Sequence, residues 1–134
     1  MAERQTIHDN DFISIYYYPD KKIIHHEFHK RASGQIFQDA FIAGAESMEK
    51  NRCQKWLSDD RNNSVYAEED RNWSAANFRP RIIKAGLKFW AILLPEKTIG
   101  QLNMKKVIEE YAEKGVTIEI FEDAVRALEW LESH

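Results

Sequence analysis

The chain has 134 residues, enough for one domain that buries roughly two-thirds of its unfolded surface on folding. Hydrophobic residues at 43% and charged residues at 31% exclude a disordered tail, and a net charge of −3 offers no basic field for nucleic acid. The single cysteine, Cys53, excludes an internal disulfide and favours a reducing cytoplasm; Met-Ala-Glu-Arg-Gln-Thr at the start lacks a signal-peptide pattern.

Residues 1–11 are polar and unpatterned and read as an N-terminal arm before a single domain over 12–134. Phe12 to Tyr18 is aromatic and β-branched, meets the turn Pro19-Asp20-Lys21, and continues into strand-like Lys22 to Phe28, which predicts a β-hairpin. Ser33 has the chemistry of an N-cap. Behind it Phe37, Ala40, Phe41, Gly44 and Met48 recur at spacings of three and four, the apolar face of a helix to about Asn51. Gln54 to Ser58 predicts a short strand that runs into the polar loop Asp59 to Ser64.

A helix is expected from Ala67 to Asn77, with Glu68, Glu69 and Asp70 at its positive end. Pro80 must break or kink it, and a second piece from Arg81 to Ala85 ends on Gly86. Phe89 to Leu94 is continuously apolar, the pattern of a central strand covered on both faces, and is too short to span a bilayer. After Pro95 a helix is expected to Lys114, with Met104, Val107, Ile108 and Tyr111 inward and Gly115 as the stop. Val116 to Phe121 reads as a strand. Asp123 to Glu132 reads as a helix with Val125, Leu128 and Leu131 on one face. The order is β-β-α-β-α-β-α-β-α, with the last four strands parallel and the first antiparallel at an edge.

Tyr16-Tyr17-Tyr18-Pro19-Asp20, Lys55-Trp56-Leu57-Ser58-Asp59-Asp60-Arg61, Trp90-Ala91-Ile92-Leu93-Leu94-Pro95 and the tail from Phe121 to Leu131 together resemble small bacterial STAS domains of the SpoIIAA-like group. Some of that group are classed together with lipid-carrier domains. The resemblance covers about residues 12–134. It implies an α/β fold with an N-terminal hairpin, then βαβαβα, in a mixed, mostly parallel sheet flanked by helices. It also implies a regulatory module that binds a protein partner and is switched by phosphorylation in an Asp-Ser/Thr-Gly turn. No such triplet stands here; Ser64 is the nearest equivalent by position and Ser58 by strand context.

The loops at the carboxyl ends of parallel strands are where α/β domains meet ligands. The candidate surface is therefore Ser58, Asp59, Asp60, Arg61, Asn62 and Ser64, with Lys30 and Arg31 before the first helix; Ser64 is the candidate phosphorylation site. Asp and Asn are equally the residues that cap helices and form turns, and Asp60 or Arg61 could tie neighbouring loops together. With Pro95 to Thr98, these loops would edge a shallow polar groove. His25, Glu27 and His29 share a strand face, ~7 Å apart, but lack the third or fourth ligand a metal site needs. Cys53 lies at a helix end unsuited to a thiolate, and no phosphate-cradling glycine loop is present. The four Trp read as core, with Trp130 also placed to join a dimer surface.

The expectation is a non-enzymatic regulatory or interaction module without cofactor or metal, in the cytoplasm, with a protein partner and with homodimerisation compatible with its aromatic load. The alternative is a small-molecule or lipid-binding domain, which requires an apolar cavity of roughly 300 Å³ or more. A phosphoryl-accepting enzyme using Asp59 or Asp60 is disfavoured, because receiver-type domains want a Lys at the end of the last strand, where Phe121 and Glu122 stand.

Overall fold

A computed structural model describes residues 3–134. It holds one six-stranded sheet in the order β1-β2-β3-β4-β5-β6, formed by Gln5–Asp9, Ile13–Tyr18, Ile23–Phe28, Lys55–Asp59, Phe89–Leu93 and Thr117–Phe121. The first three strands pair antiparallel and β3 to β6 pair parallel. The expected α/β class, the hairpin (here β2–β3) and the four parallel strands are all present. The hairpin's first strand is not the edge, however. Residues 5–9, expected as part of an unpatterned arm, form β1 and pair with β2, with a register shift between Thr6 and His8. This strand is solvent-facing on almost every residue, so it is held by ladder hydrogen bonds and leaves no hydrophobic alternation in the sequence.

The helices are α1 (Gln35–Asn51), α2 (Glu68–Trp73), α3 (Arg79–Ala85), α4 (Glu96–Ile99), α5 (Lys105–Glu113) and α6 (Ala124–Glu132). Strands that advance across a sheet in sequence order, joined by right-handed crossovers, send every crossover helix to the same face. Accordingly α1, α3 and α5 pack on one face, on a core that includes Ile15, Ile24, Phe37, Phe41, Trp56 and Phe78. Only α6, which follows the last strand, packs on the other, over Ile23, Leu57, Ala91 and Leu93.

Several local expectations change. Ser33 does not cap α1; Gly34 occupies the cap with φ 67°, a left-handed value that glycine adopts freely. The free N–H of Gly34 donates instead to Asp70 Oδ1 at 3.0 Å. Pro80 does not interrupt the helix expected before it. A π turn, Ser74–Phe78, links α2 to α3, and the Arg79 N–H reaches back to the Ser74 carbonyl immediately ahead of the proline. The helix expected after Pro95 divides into α4 and α5 around Gly100 to Met104. Val125, expected inward, is 62% exposed, because α6 presents Ala127 and Leu131 to the sheet. The most enclosed strand is β4, buried at all five positions despite its polar sequence, while Phe89 and Trp90 of β5 are half-buried. Among the described residues, no helix is long and apolar enough to cross a membrane.

Candidate functional site

Strand alternation places Ile24, His26 and Phe28 of β3 on the helical face, and Trp56 and Ser58 of β4 beside them. An indole N–H can only donate. Trp56 Nε1 lies 3.0 Å from His26 Nδ1, so that ring nitrogen accepts and the proton of the imidazole sits on Nε2. His26 Nε2–H then donates to Asp60 Oδ1 at 2.7 Å. The contact is a hydrogen bond from a neutral ring, not an ion pair. The Tyr66 hydroxyl donates to the same Asp60 oxygen at 2.8 Å. Burial and then the neighbouring Asp60 charge push the Tyr66 phenol well above its usual range, so it remains a donor. The chain Trp56–His26–Asp60–Tyr66 is thus fixed in direction, and His26 is packed against Phe41 with ring centres 4.8 Å apart.

Asp60 and His26 open onto a cleft of about 220 Å³ on the helical face. Its floor is the sheet, through Trp90, Ile92 and Ile118. Phe41 of α1 and Phe78 of the π turn form one side, and Met104, Val107 and Tyr111 the other. Arg71 and Arg79 also line it, on either side of the π turn. The added residue of a π turn rotates the side chains on its two flanks, and such turns are frequent at functional sites. Trp90 is held by donation from Nε1 to Ser58 Oγ at 2.8 Å, and Arg79 by donation to the Tyr111 hydroxyl at 3.4 Å.

The expected surface residues do not converge. Of Ser58, Asp59, Asp60, Arg61, Asn62, Ser64, Lys30 and Arg31, only Asp60 lines the cleft. Ser58 is spent on Trp90. Asp59 points to the α6 face and takes two hydrogen bonds from the Arg61 guanidinium, at 2.9 and 2.8 Å. Burial opposes the charge on Asp59, but Arg61 outweighs it and holds the carboxyl below its usual range. Asn62 donates to the Phe28 carbonyl, and its neighbour Asn63 to that of Ala32. Arg31 donates to the Val65 carbonyl, and Lys30 sits over the Phe12 ring at 4.5 Å. Ser64 is half-buried within the same loop.

The histidines on the hairpin separate as well. His25 meets the Tyr18 hydroxyl at 3.0 Å and His29 meets Ser14 Oγ at 2.6 Å. No group of three His, Cys, Asp or Glu among the described residues is placed to hold a metal ion. Burial pushes the Cys53 thiol up to about 11. Trp130, expected on a dimer surface, packs at the edge of the smaller core against Phe89 and Phe121.

Trp56, Tyr66, Trp90, Arg71 and Arg79 carry the site and were not among the expected residues. One signal was available. A buried Trp needs an acceptor for its N–H, and the adjoining strand supplied a histidine within diagonal reach. Compared with protein-family models, curated proteins and solved structures, the chain matches none. The resemblance to STAS domains rests on the sequence segments quoted above.

Proposed function

We propose that this chain is a non-enzymatic regulatory module that works by holding a compact, largely apolar molecule in the cleft over β3 to β6. The observation that carries this reading is the cleft itself: an aromatic and aliphatic cavity of about 220 Å³ with a few oriented polar groups. Apolar lining with a small number of placed hydrogen-bonding groups is the general form of a small-molecule site. The volume corresponds to roughly seven water molecules at ~30 Å³ each and lies below the ~300 Å³ expected for a lipid carrier. The occupant is therefore small, not a phospholipid.

The test is a fragment screen by two-dimensional NMR. Binding should shift the indole N–H signals of Trp56 and Trp90 together, and Val107→Phe, which fills the cleft, should abolish those shifts. Fragments that move other signals and leave both indoles in place would defeat the reading.

A partner-binding reading of the loop after β4 is favoured by one observation. Asp60 and Tyr66 anchor the loop in the cleft, whereas Val65 between them is 59% exposed. A protein partner would then meet Val65 and Arg61, and a phosphate on Ser64 would add a charge of about −1.5 to −2 there. Val65→Asp should abolish capture of such a partner from the native cell; capture undiminished by it would exclude this loop.

A further inference from the structure

We infer that the ligand of the cleft is a small zwitterion with an apolar body, its ammonium group at Asp60 and its carboxylate at Arg71 and Arg79. The inference rests on the cleft being a ligand site, as proposed above. The cleft contains charges of both signs that the protein leaves without a charged partner. Asp60 Oδ1 takes its two hydrogen bonds from neutral donors, the His26 ring and the Tyr66 phenol. Trp56 holds His26 in the neutral tautomer, so among the described residues no cation lies within ion-pair distance of this carboxylate. Its second oxygen, Oδ2, takes no hydrogen bond from a described residue.

Arg79 and Arg71 show the converse. Among the described residues, neither lies within ion-pair distance of a carboxylate; the ion pairs present are Asp59 with Arg61 and Glu49 with Arg81. Among the described residues, the one hydrogen-bond partner of the Arg79 guanidinium is the Tyr111 hydroxyl. Asp60 is buried, and a buried charge is costly unless it is paired. Arg79 is half-buried and Arg71 exposed, so at that end a ligand carboxylate would exchange water for two guanidinium groups. A lone amine would leave the arginines unmatched, and a lone acid would meet Asp60. Aromatic faces lining the same cleft, Tyr66 and Trp90, suit an ammonium group further, since cations are attracted to ring faces. The apolar body would lie on Phe41, Phe78 and Ile118.

The experiment is isothermal titration of the full chain with four compounds that share a phenyl ring: L-phenylalanine, phenethylamine, 3-phenylpropionate and 3-phenylpropanol. L-Phenylalanine should bind at least about ten-fold more tightly than each of the other three, a tenfold ratio being ~1.4 kcal/mol. Asp60→Asn should bring L-phenylalanine towards the affinity of 3-phenylpropionate, and Arg79→Gln towards that of phenethylamine. Because Asp60 is tied into the hydrogen-bond chain, the comparison of the four compounds on the unaltered protein decides the matter without the variants. If the amine or the acid alone binds as tightly as L-phenylalanine, the zwitterion is excluded. If 3-phenylpropanol binds as tightly, the charges play no part, although the cleft remains a ligand site. If none of the four binds, both the inference and the cleft reading fall.

Discussion

His25 and His26 are neighbours in β3, yet they live in opposite chemical worlds. His26 faces the helices, where Trp56 satisfies one ring nitrogen and Asp60 the other. His25 faces the α6 side, where Tyr18 satisfies one nitrogen and Nε2 is buried with no partner among the described residues. Burial presses the His25 imidazole down to about 3. Asp59 and Asp60 repeat the division at the end of β4. Asp59 is balanced by Arg61 on the α6 side, whereas Asp60 is held on the helical side by neutral donors alone. Strand alternation separates each pair, and the sheet turns two dipeptides into two unlike environments. Asp59 on the α6 side has a charged partner at the surface; Asp60 on the helical side stands at the wall of a cleft.

The sharpest way to break this contrast is to remove the two aspartates in turn. Asp60→Ala strands the buried His26 N–H and the Tyr66 hydroxyl, and should cost about 2–4 kcal/mol of unfolding free energy. Asp59→Ala removes a pair whose Arg61 side chain is 40% exposed, so solvent replaces much of what is lost and the cost should be about 1 kcal/mol or less. Urea titrations of the two variants measure the difference directly. Equal losses would mean that the two sides hold their carboxylates alike.

A smaller effect should come from behind the site. A Cβ on Gly44 of α1 would lie 2.5 Å from Cη2 of the Trp56 indole, so Gly44→Ala must displace the ring that fixes the tautomer of His26. Overpacking of this kind costs about 1–3 kcal/mol, only partly offset by the ~1 kcal/mol that alanine gains over glycine in a helix. The same substitution should move the His26 and Trp56 side-chain nitrogen signals while leaving those of His25 in place. If both histidines respond equally, the two faces are not independent.

Much of the frame was legible in the sequence, and the reasons for the exceptions are physical. Phe37, Phe41 and Met48 announced α1 because burial imposes a period on a helix. β1 left no such mark, since it buries almost nothing. The partition of the site was hidden by adjacency: Asp59, Asp60 and Arg61 read as one polar cluster, but consecutive residues at a strand end leave on opposite sides. Trp56 and Trp90 read as core; Trp56 is fully buried there while Trp90 is half-buried at the cleft, and their N–H groups were the part of the site that composition does not reveal. Arg71 and Arg79 reach the cleft from either side of a π turn, an element with no sequence period of its own.

The mildest test concerns pH. In the native state His25 stays neutral down to about 3, whereas in the unfolded chain an ordinary histidine takes up a proton near ~6.5. Below that pH the unfolded state binds more protons than the native state, so stability falls as the pH falls, and the full contribution is present only above it. Between pH 7.5 and 5.5 the loss from this one group should be about 1–1.5 kcal/mol. His25→Leu removes the titrating ring, and the Tyr18 hydroxyl keeps its contact with Arg4 at 3.4 Å. Subtracting the variant's stability curve from that of the unaltered protein cancels every other titrating group. The difference should slope through this window and flatten above pH 7. A level difference from pH 7.5 to 5.5 would show that His25 accepts a proton in place, and that its side of the sheet is as accommodating to charge as the surface around Arg61.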